Sequence, residues 1–192
     1  VLEQALQELQ TLHANGYYLS LSVNISAHNL RDADFLGKVQ ELLQKYPVAH
    51  DMLVFEITES AMMANPLRAA ELLGQLDELG IRLSVDDYGT GFSSLAYLKQ
   101  LPVDELKIDR SFVAGMAHHD SDITIVRSTI DLAHNLGLQV VAEGAGDEKT
   151  IDQLRAWGCD RVQGFYYTRT LPLVELQQWL DHYQPVSQRR LL

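Results

Sequence analysis

Two hydrophobic periods alternate along the chain. Val1, Leu2, Ala5, Leu6, Leu9 and Leu12 recur at helical spacing, and Asn15-Gly16 supplies the stop. A β-rich run over 19–25 follows, then a helix over about 35–46 ended by Pro47, then a strand over 52–57. Asn65-Pro66 opens the next helix with a capping side chain and a proline at the first helical position, and Gly80 closes it. A strand at 81–86 runs into the glycine-rich turn Asp87-Tyr88-Gly89-Thr90-Gly91. Beyond it the pattern predicts a short helix at 94–101 stopped by Pro102, a strand at 105–108 and a helix at about 122–136 ended by Gly137. A strand at 138–142, a helix from Asp147 to Gly158, a strand at 161–166 and a helix at about 173–183 complete it. A polar tail, 186–192, follows a single domain over 1–185, with no linker or second core between.

Six strands alternating with helices predict a parallel α/β fold. Each apolar run stops at a polar residue: Asn24, Glu56, Asp86 with Asp87, Lys107 with Asp109, Glu143 and Gln163. A strand buried on both faces carries such groups cheaply only at its ends, and parallel strands gather those ends on one rim. An open doubly wound sheet and a closed barrel both fit the pattern. Functional groups at every strand end favour the barrel, because an open sheet concentrates its site at one crossover. A closed barrel takes eight strands and ~250 residues, so about two strands are wanting. With Val1 already on the stripe of a helix, the expectation is a piece of a longer chain.

Composition changes this picture little: 192 residues, 46% hydrophobic and 21% charged, describe an ordinary globular chain. No apolar run reaches the ~20 residues that cross a bilayer. The net charge of −11 argues against duplex nucleic acid, which needs a basic face. A small phosphate ester remains compatible, because divalent cations can supply positive charge locally. The lone Cys159 fits a reducing cytoplasm and reads as a small buried hydrophobe. His118-His119 read as part of a solvated linker, without ligand spacing.

Adjacent carboxylates at a strand end, Asp86 and Asp87, need a cation close by if both are to stay ionised. Hard oxygen donors select Mg2+ or Mn2+. Glu56 suits ligation at the rim, whereas Glu59, three residues on, suits holding a neighbouring loop or simply starts a helix at the surface. Lys107 lies in an apolar strand, where an amine is costly unless it meets carboxylates or phosphate. It could orient a water, neutralise a phosphoryl oxygen, form a Schiff base or snorkel to the rim. Asn24 can offer a neutral oxygen to a metal, and Gln163 can bond a ligand or a water. Many carboxylates, one lysine and no nucleophile with a base beside it fit two-metal phosphodiester hydrolysis better than a covalent triad.

Six segments occur in an order that names a family. Val-Asn-Ile-Ser (23–26), Phe-Glu-Ile-Thr-Glu-Ser (55–60) and Asp-Asp-Tyr-Gly-Thr-Gly-Phe-Ser-Ser-Leu (86–95) are the first three. Leu-Lys-Ile-Asp-Arg-Ser-Phe-Val (106–113), Val-Val-Ala-Glu-Gly (140–144) and Val-Gln-Gly-Phe (162–165) follow. Together they resemble the EAL-domain cyclic-di-GMP phosphodiesterases. The resemblance implies a modified TIM barrel that linearises cyclic di-GMP to pGpG with Mg2+ or Mn2+. It implies metal ligation by Asn24, Glu56, Asp86 and Asp87, and by Glu143 unless that residue assists the water. Lys107 would position water or phosphate, Asp109 and Gln163 would complete the pocket, and Glu59 would anchor the 86–94 loop. Homodimers and fusion to sensor or GGDEF domains are further implications.

Two departures stand out. The Glu-Ala-Leu stretch that gives the family its name does not occur at the expected place before the first strand, and with it a glutamate ligand and a nearby arginine. The family's usual Ala-Glu-Gly-Val-Glu reads Ala142-Glu143-Gly144-Ala145-Gly146. A milder change puts Arg169-Thr170-Leu171-Pro172 in place of Arg-Pro-Leu-Pro. These departures leave a non-enzymatic EAL-like module, binding the nucleotide or a protein, as the alternative, with little activity expected from these 192 residues alone. Open barrel edges would also invite dimerisation or aggregation.

Overall fold

A computed structural model describes residues 1–91 and 95–183. Six strands form one sheet: β1 (Leu21–Ile25), β2 (Leu53–Thr58), β3 (Arg82–Tyr88), β4 (Glu105–Ile108), β5 (Gln139–Glu143) and β6 (Arg161–Gln163). Every neighbouring pair is parallel and the spatial order is the chain order, as successive strand–helix units require. The helices are α1 (Leu2–Ala14), α2 (Ala27–Arg31), α3 (Phe35–Lys45), α4 (Glu59–Ala64) and α5 (Pro66–Glu78). They continue as α6 (Leu95–Leu98), α7 (Arg110–Gly115), α8 (Asp120–Asn135), α9 (Glu148–Ala156) and α10 (Leu173–His182). None among the described residues is long and apolar enough to cross a membrane.

Strand alternation divides the sheet into two faces. Leu53, Phe55 and Ile57 of β2, Leu83 and Val85 of β3, Leu106 and Ile108 of β4, and Val140 and Ala142 of β5 point toward the helices and build the core. Leu72, Leu73 and Leu76 of α5 and Val126, Ile130 and Ala133 of α8 meet them from outside. The opposite face carries Glu56, then Ser84 and Asp86, then Glu105 and Lys107, then Glu143. Side chains on it bridge strands that are not neighbours, β4 to β2 and β4 to β6, so the sheet curls about them. The result is a half-barrel with β1 and β6 as its edges.

The expected six strands, their parallel sense and the long helices are all present. Asn65 caps α5 through its side chain, which accepts from the Arg68 backbone at 3.3 Å. Four local expectations need correction. Helices α2, α4 and α7 are five or six residues each, too short to display a 3.6-residue period. Each is started by a capping side chain at a strand's exit: Ser26, Thr58 and Asp109. Glu59 is therefore the first residue of α4 and not part of a loop, and it is buried rather than exposed. Strand β3 continues through Asp87 to Tyr88, so Asp86 does not end it. Strand β6 stops at Gln163, because Gly164 turns the chain against Ala145. Ser94, expected to begin α6, and the tail 186–192 lie outside the described residues.

Candidate metal centre and adjoining groove

The parallel register sets the site. Glu56 lies beside Asn24 on β1, and Glu143 beside Gln163 on β6. Between them, on β4, the Lys107 ammonium is 3% exposed and meets three carboxylates from three other strands. Its Nζ lies 2.9 Å from Glu56 Oε1, 3.2 Å from Asp86 Oδ1 and 2.6 Å from Glu143 Oε1. Burial opposes the charge on Lys107, but hydrogen bonds to Glu143 and Glu56 and the charges of Glu56 and Asp86 hold it above the ordinary lysine range. It is therefore a fixed cation, which disfavours the Schiff-base chemistry that needs a neutral amine.

Asp86 and Asp87 are adjacent, and in a regular strand they would face opposite ways. The β3–β4 register breaks between Val85 and Tyr88, and Asp87 sits at φ 56°, in the left-handed region. Among the described residues it is the one non-glycine with positive φ, a conformation aspartate tolerates better than most side chains. The kink turns both carboxylates to one side: oxygens of Asp86, Asp87 and Glu143 lie within 4.8 Å of one another. Asp86 Oδ1 is buried and, though 3.2 Å from the Lys107 ammonium, is not aligned with it as a hydrogen-bond acceptor. An orphaned buried oxygen among hard donors is what a divalent cation satisfies, so the residues fit a hard divalent ion.

Electrostatics around the cluster show how crowded the negative charge is. Burial, then the charges of Asp86 and Asp109, and then a hydrogen bond with Asp109 push the Asp87 carboxyl above its usual range. Burial pushes Asp109 the same way. Hydrogen bonds from the Ser111 side chain and backbone and from Asp87 outweigh it and hold Asp109 below the usual range. Burial also raises Glu143, against the opposing hydrogen bond from Lys107.

The remaining expected residues take distinct places. Asp109 caps α7 by accepting from the Ser111 backbone at 2.9 Å. Asn24 and Gln163 stand exposed on the two edge strands of the same rim, flanking the cluster. Glu59 is 2% exposed, and its Oε2 accepts from the backbone N–H groups of Gly91 and Gly89 at 3.1 and 3.3 Å. A Cβ on Gly91 would lie 2.9 Å from the Glu59 carboxyl carbon, so glycine lets the loop approach. Cys159 is half-buried and its thiol is pushed up to about 11, chiefly by burial.

Beside the cluster opens a groove of about 700 Å³ lined by Arg110, Glu143, Gln163, Phe165, Tyr167 and Arg169, among others. The Phe165 ring is 72% exposed, with the Arg169 guanidinium 5.7 Å from its centre. Two arginines and an exposed ring beside a carboxylate cluster suit a ligand with both phosphate and a flat base. The groove rests on two tight backbone approaches. Gly144 has φ 77° and packs against Arg110, and a Cβ on Gly164 would collide with the backbone of Ala145. These contacts explain the glycines that follow Glu143 and Gln163.

The family model described as the EAL domain matches residues 1–170. The chain belongs to the EAL domain family. Among EAL relatives, cyclic di-GMP phosphodiesterase NbdA of Pseudomonas aeruginosa is 41% identical over 185 residues, covering 96% of this chain and 24% of that protein. Signaling protein YkoW of Bacillus subtilis is 38% identical over 180 residues, covering 94% and 22%. The chain thus spans about a quarter of the length of these curated relatives. The EAL domain of Mycobacterium smegmatis DcpA superposes with a TM-score of 0.88 at 36% identity, covering 96% of this chain and 84% of that one. PaMucR phosphodiesterase in complex with c-di-GMP gives 0.88 at 36% identity, covering 91% and 71%. The half-barrel therefore matches part of the modified TIM barrel of EAL proteins.

Sequence reasoning missed a second polar layer beneath the rim. Glu105, 3% exposed, accepts from Ser84 Oγ at 2.9 Å and from Arg161 Nη1 at 3.0 Å, with Arg82 Nη2 3.7 Å away. Arg82 in turn donates to Gln139 Oε1 at 2.9 Å. These residues share the concave face with the rim set, two positions earlier on each strand: Ser84 before Asp86, Glu105 before Lys107, Arg161 before Gln163. A period of two within the strands was the available signal; reading only the strand ends passed over it.

Proposed function

We propose that the chain carries the catalytic centre of a phosphodiesterase that hydrolyses cyclic di-GMP to pGpG with Mg2+ or Mn2+. The observation that carries this reading is the convergence of Asp86, Asp87 and Glu143 on one point, with Lys107 behind and the arginine-lined groove beside it. Glu56, Asp86, Asp87, Glu143 and Asn24 are the proposed metal ligands. Two cations held there would activate a water and neutralise charge on the phosphoryl group. Glu143 would either ligate or take a proton from that water, while Lys107 would orient the water or neutralise the phosphate. Arg110 and Arg169 would grip phosphate oxygens, Phe165 would stack on a guanine, and Gln163 would bond the nucleotide. Asp109 holds Asp87, and Glu59 holds the loop after β3.

Relatives support the substrate: NbdA is named a cyclic di-GMP phosphodiesterase, and the PaMucR structure holds c-di-GMP. The reading extends to a cytoplasmic homodimer joined to sensor or GGDEF domains, and to a domain covering 1–185. One observation favours the alternative of a binding module. Gly146 lines the groove where the family pattern has glutamate, and a Cβ there would meet open space, so packing does not demand a glycine.

The full-length protein incubated with cyclic di-GMP is expected to release pGpG with Mn2+ and none with EDTA, followed by chromatography. Tight binding without turnover would sink the enzymatic reading. Turnover gained by Gly146→Glu from an inactive parent would trace the loss to that position.

A further inference from the structure

Lys107 makes contacts that the proposed chemistry alone does not require. Its ammonium touches Asp86 and Glu143, two of the three carboxylates whose oxygens converge within 4.8 Å. It is the single buried lysine among the described residues; Lys38, Lys45, Lys99 and Lys149 are all exposed. Three carboxylates crowded together need positive charge whether or not a metal is present. Lys107 supplies that charge from within the chain, and it does so on two of the three carboxylates that a cation would use.

We propose that Lys107 is the built-in counter-ion of the cation site and competes with the metal for Asp86 and Glu143. Without metal, the ammonium holds these carboxylates in place. A divalent cation must draw Asp86 and Glu143 away from an ammonium that also touches Glu56 Oε1 at 2.9 Å. The lysine thereby weakens metal binding and makes the folded state independent of the metal. A fixed ammonium next to a divalent ion opposes its entry in a site of low dielectric.

The inference rests on the metal-centre reading, and the test separates the two. Mn2+ binding by wild type and by Lys107→Met is measured by calorimetry without nucleotide, together with melting temperature in EDTA and in Mn2+. The variant is expected to melt lower in EDTA, to bind Mn2+ at least about tenfold more tightly and to gain more in melting temperature from it. Equal or weaker Mn2+ binding by the variant overturns the proposal while leaving the metal centre intact. Absence of Mn2+ binding in both proteins overturns the metal centre itself, and the competition with it. Should Lys107→Met fail to fold, wild type labelled with 15N-lysine serves. The Lys107 ammonium resonance should shift or broaden on saturation with Mg2+; an unchanged resonance with Mg2+ bound overturns the proposal.

Discussion

Asp87 concentrates two costs to stability in one residue. Its backbone occupies the left-handed region, and burial and two neighbouring carboxylates raise its carboxyl above the usual range. Both are costs to the folded chain, and both bring its oxygen to Asp86 and Glu143. Asp87→Asn keeps a side chain that tolerates positive φ and removes the repelled charge. In EDTA the variant is expected to melt a few degrees higher than wild type, by about 2 °C or more. Turnover of cyclic di-GMP should fall at least about 100-fold. A lower melting temperature in EDTA would show that the charge at this position is not a cost. Sequence marked Asp86-Asp87 as a pair, yet ordinary strand alternation would have separated them. The kink that reunites them depends on the register against β4.

At the scale of elements, short caps and loop anchors do what helical period could not reveal. Glu59 was legible as a residue holding a loop, but its burial as the first residue of α4 was not, because Thr58 caps a helix too short to show a stripe. The start of β6 offers a cleaner case of one side chain tying elements together. Asp160 Oδ2 pairs with His134 Nε2 of α8 at 2.9 Å and accepts from the Val140 backbone of β5 at 2.8 Å. Burial pushes the Asp160 carboxyl up, but the bonds from His134 and Val140 prevail and hold it below the usual range. A depressed folded value contributes stability above the unfolded value of about 3.9, lost as pH falls through the folded one. Urea midpoints taken from pH 6 down to pH 3 should therefore fall for wild type more steeply than for Asp160→Asn. The variant should also be the less stable of the two at pH 6. Parallel curves would dismiss Asp160 as a contributor to acid sensitivity.

Over the whole molecule, the concave face carries two polar layers with different tasks. The rim layer around Lys107 gathers negative charge, whereas the lower layer around Glu105 is already paired with Ser84, Arg161 and Arg82. The lower layer ties β4 to β3 and β6, and it supports the curl that the rim needs. Arg161→Ala leaves a buried carboxylate with one strong partner fewer and should cost about 2 kcal/mol in unfolding free energy. Mn2+ affinity should be unchanged, because Arg161 touches none of the converging carboxylates. A large loss of Mn2+ affinity in the folded variant would mean that the two layers are coupled.

The sequence by itself determined the alternation of strands and helices, their parallel sense and the presence of polar groups at or near the strand ends. Those follow from local periods, caps and the cost of burying polar groups mid-strand, all of which are written in short windows. Motif order also carried the family. Tertiary structure alone decided which of these polar groups meet. Lys107 reaches Glu56 across an intervening strand only because the sheet curls, and Asp87 joins Asp86 only because β3 kinks. Asn24 and Gln163 are left at the edges of the rim, while buried Glu105 joins the exposed Arg161 in a second layer beneath it. Curl, register and burial arise from contacts between residues far apart in the chain, which no local pattern records.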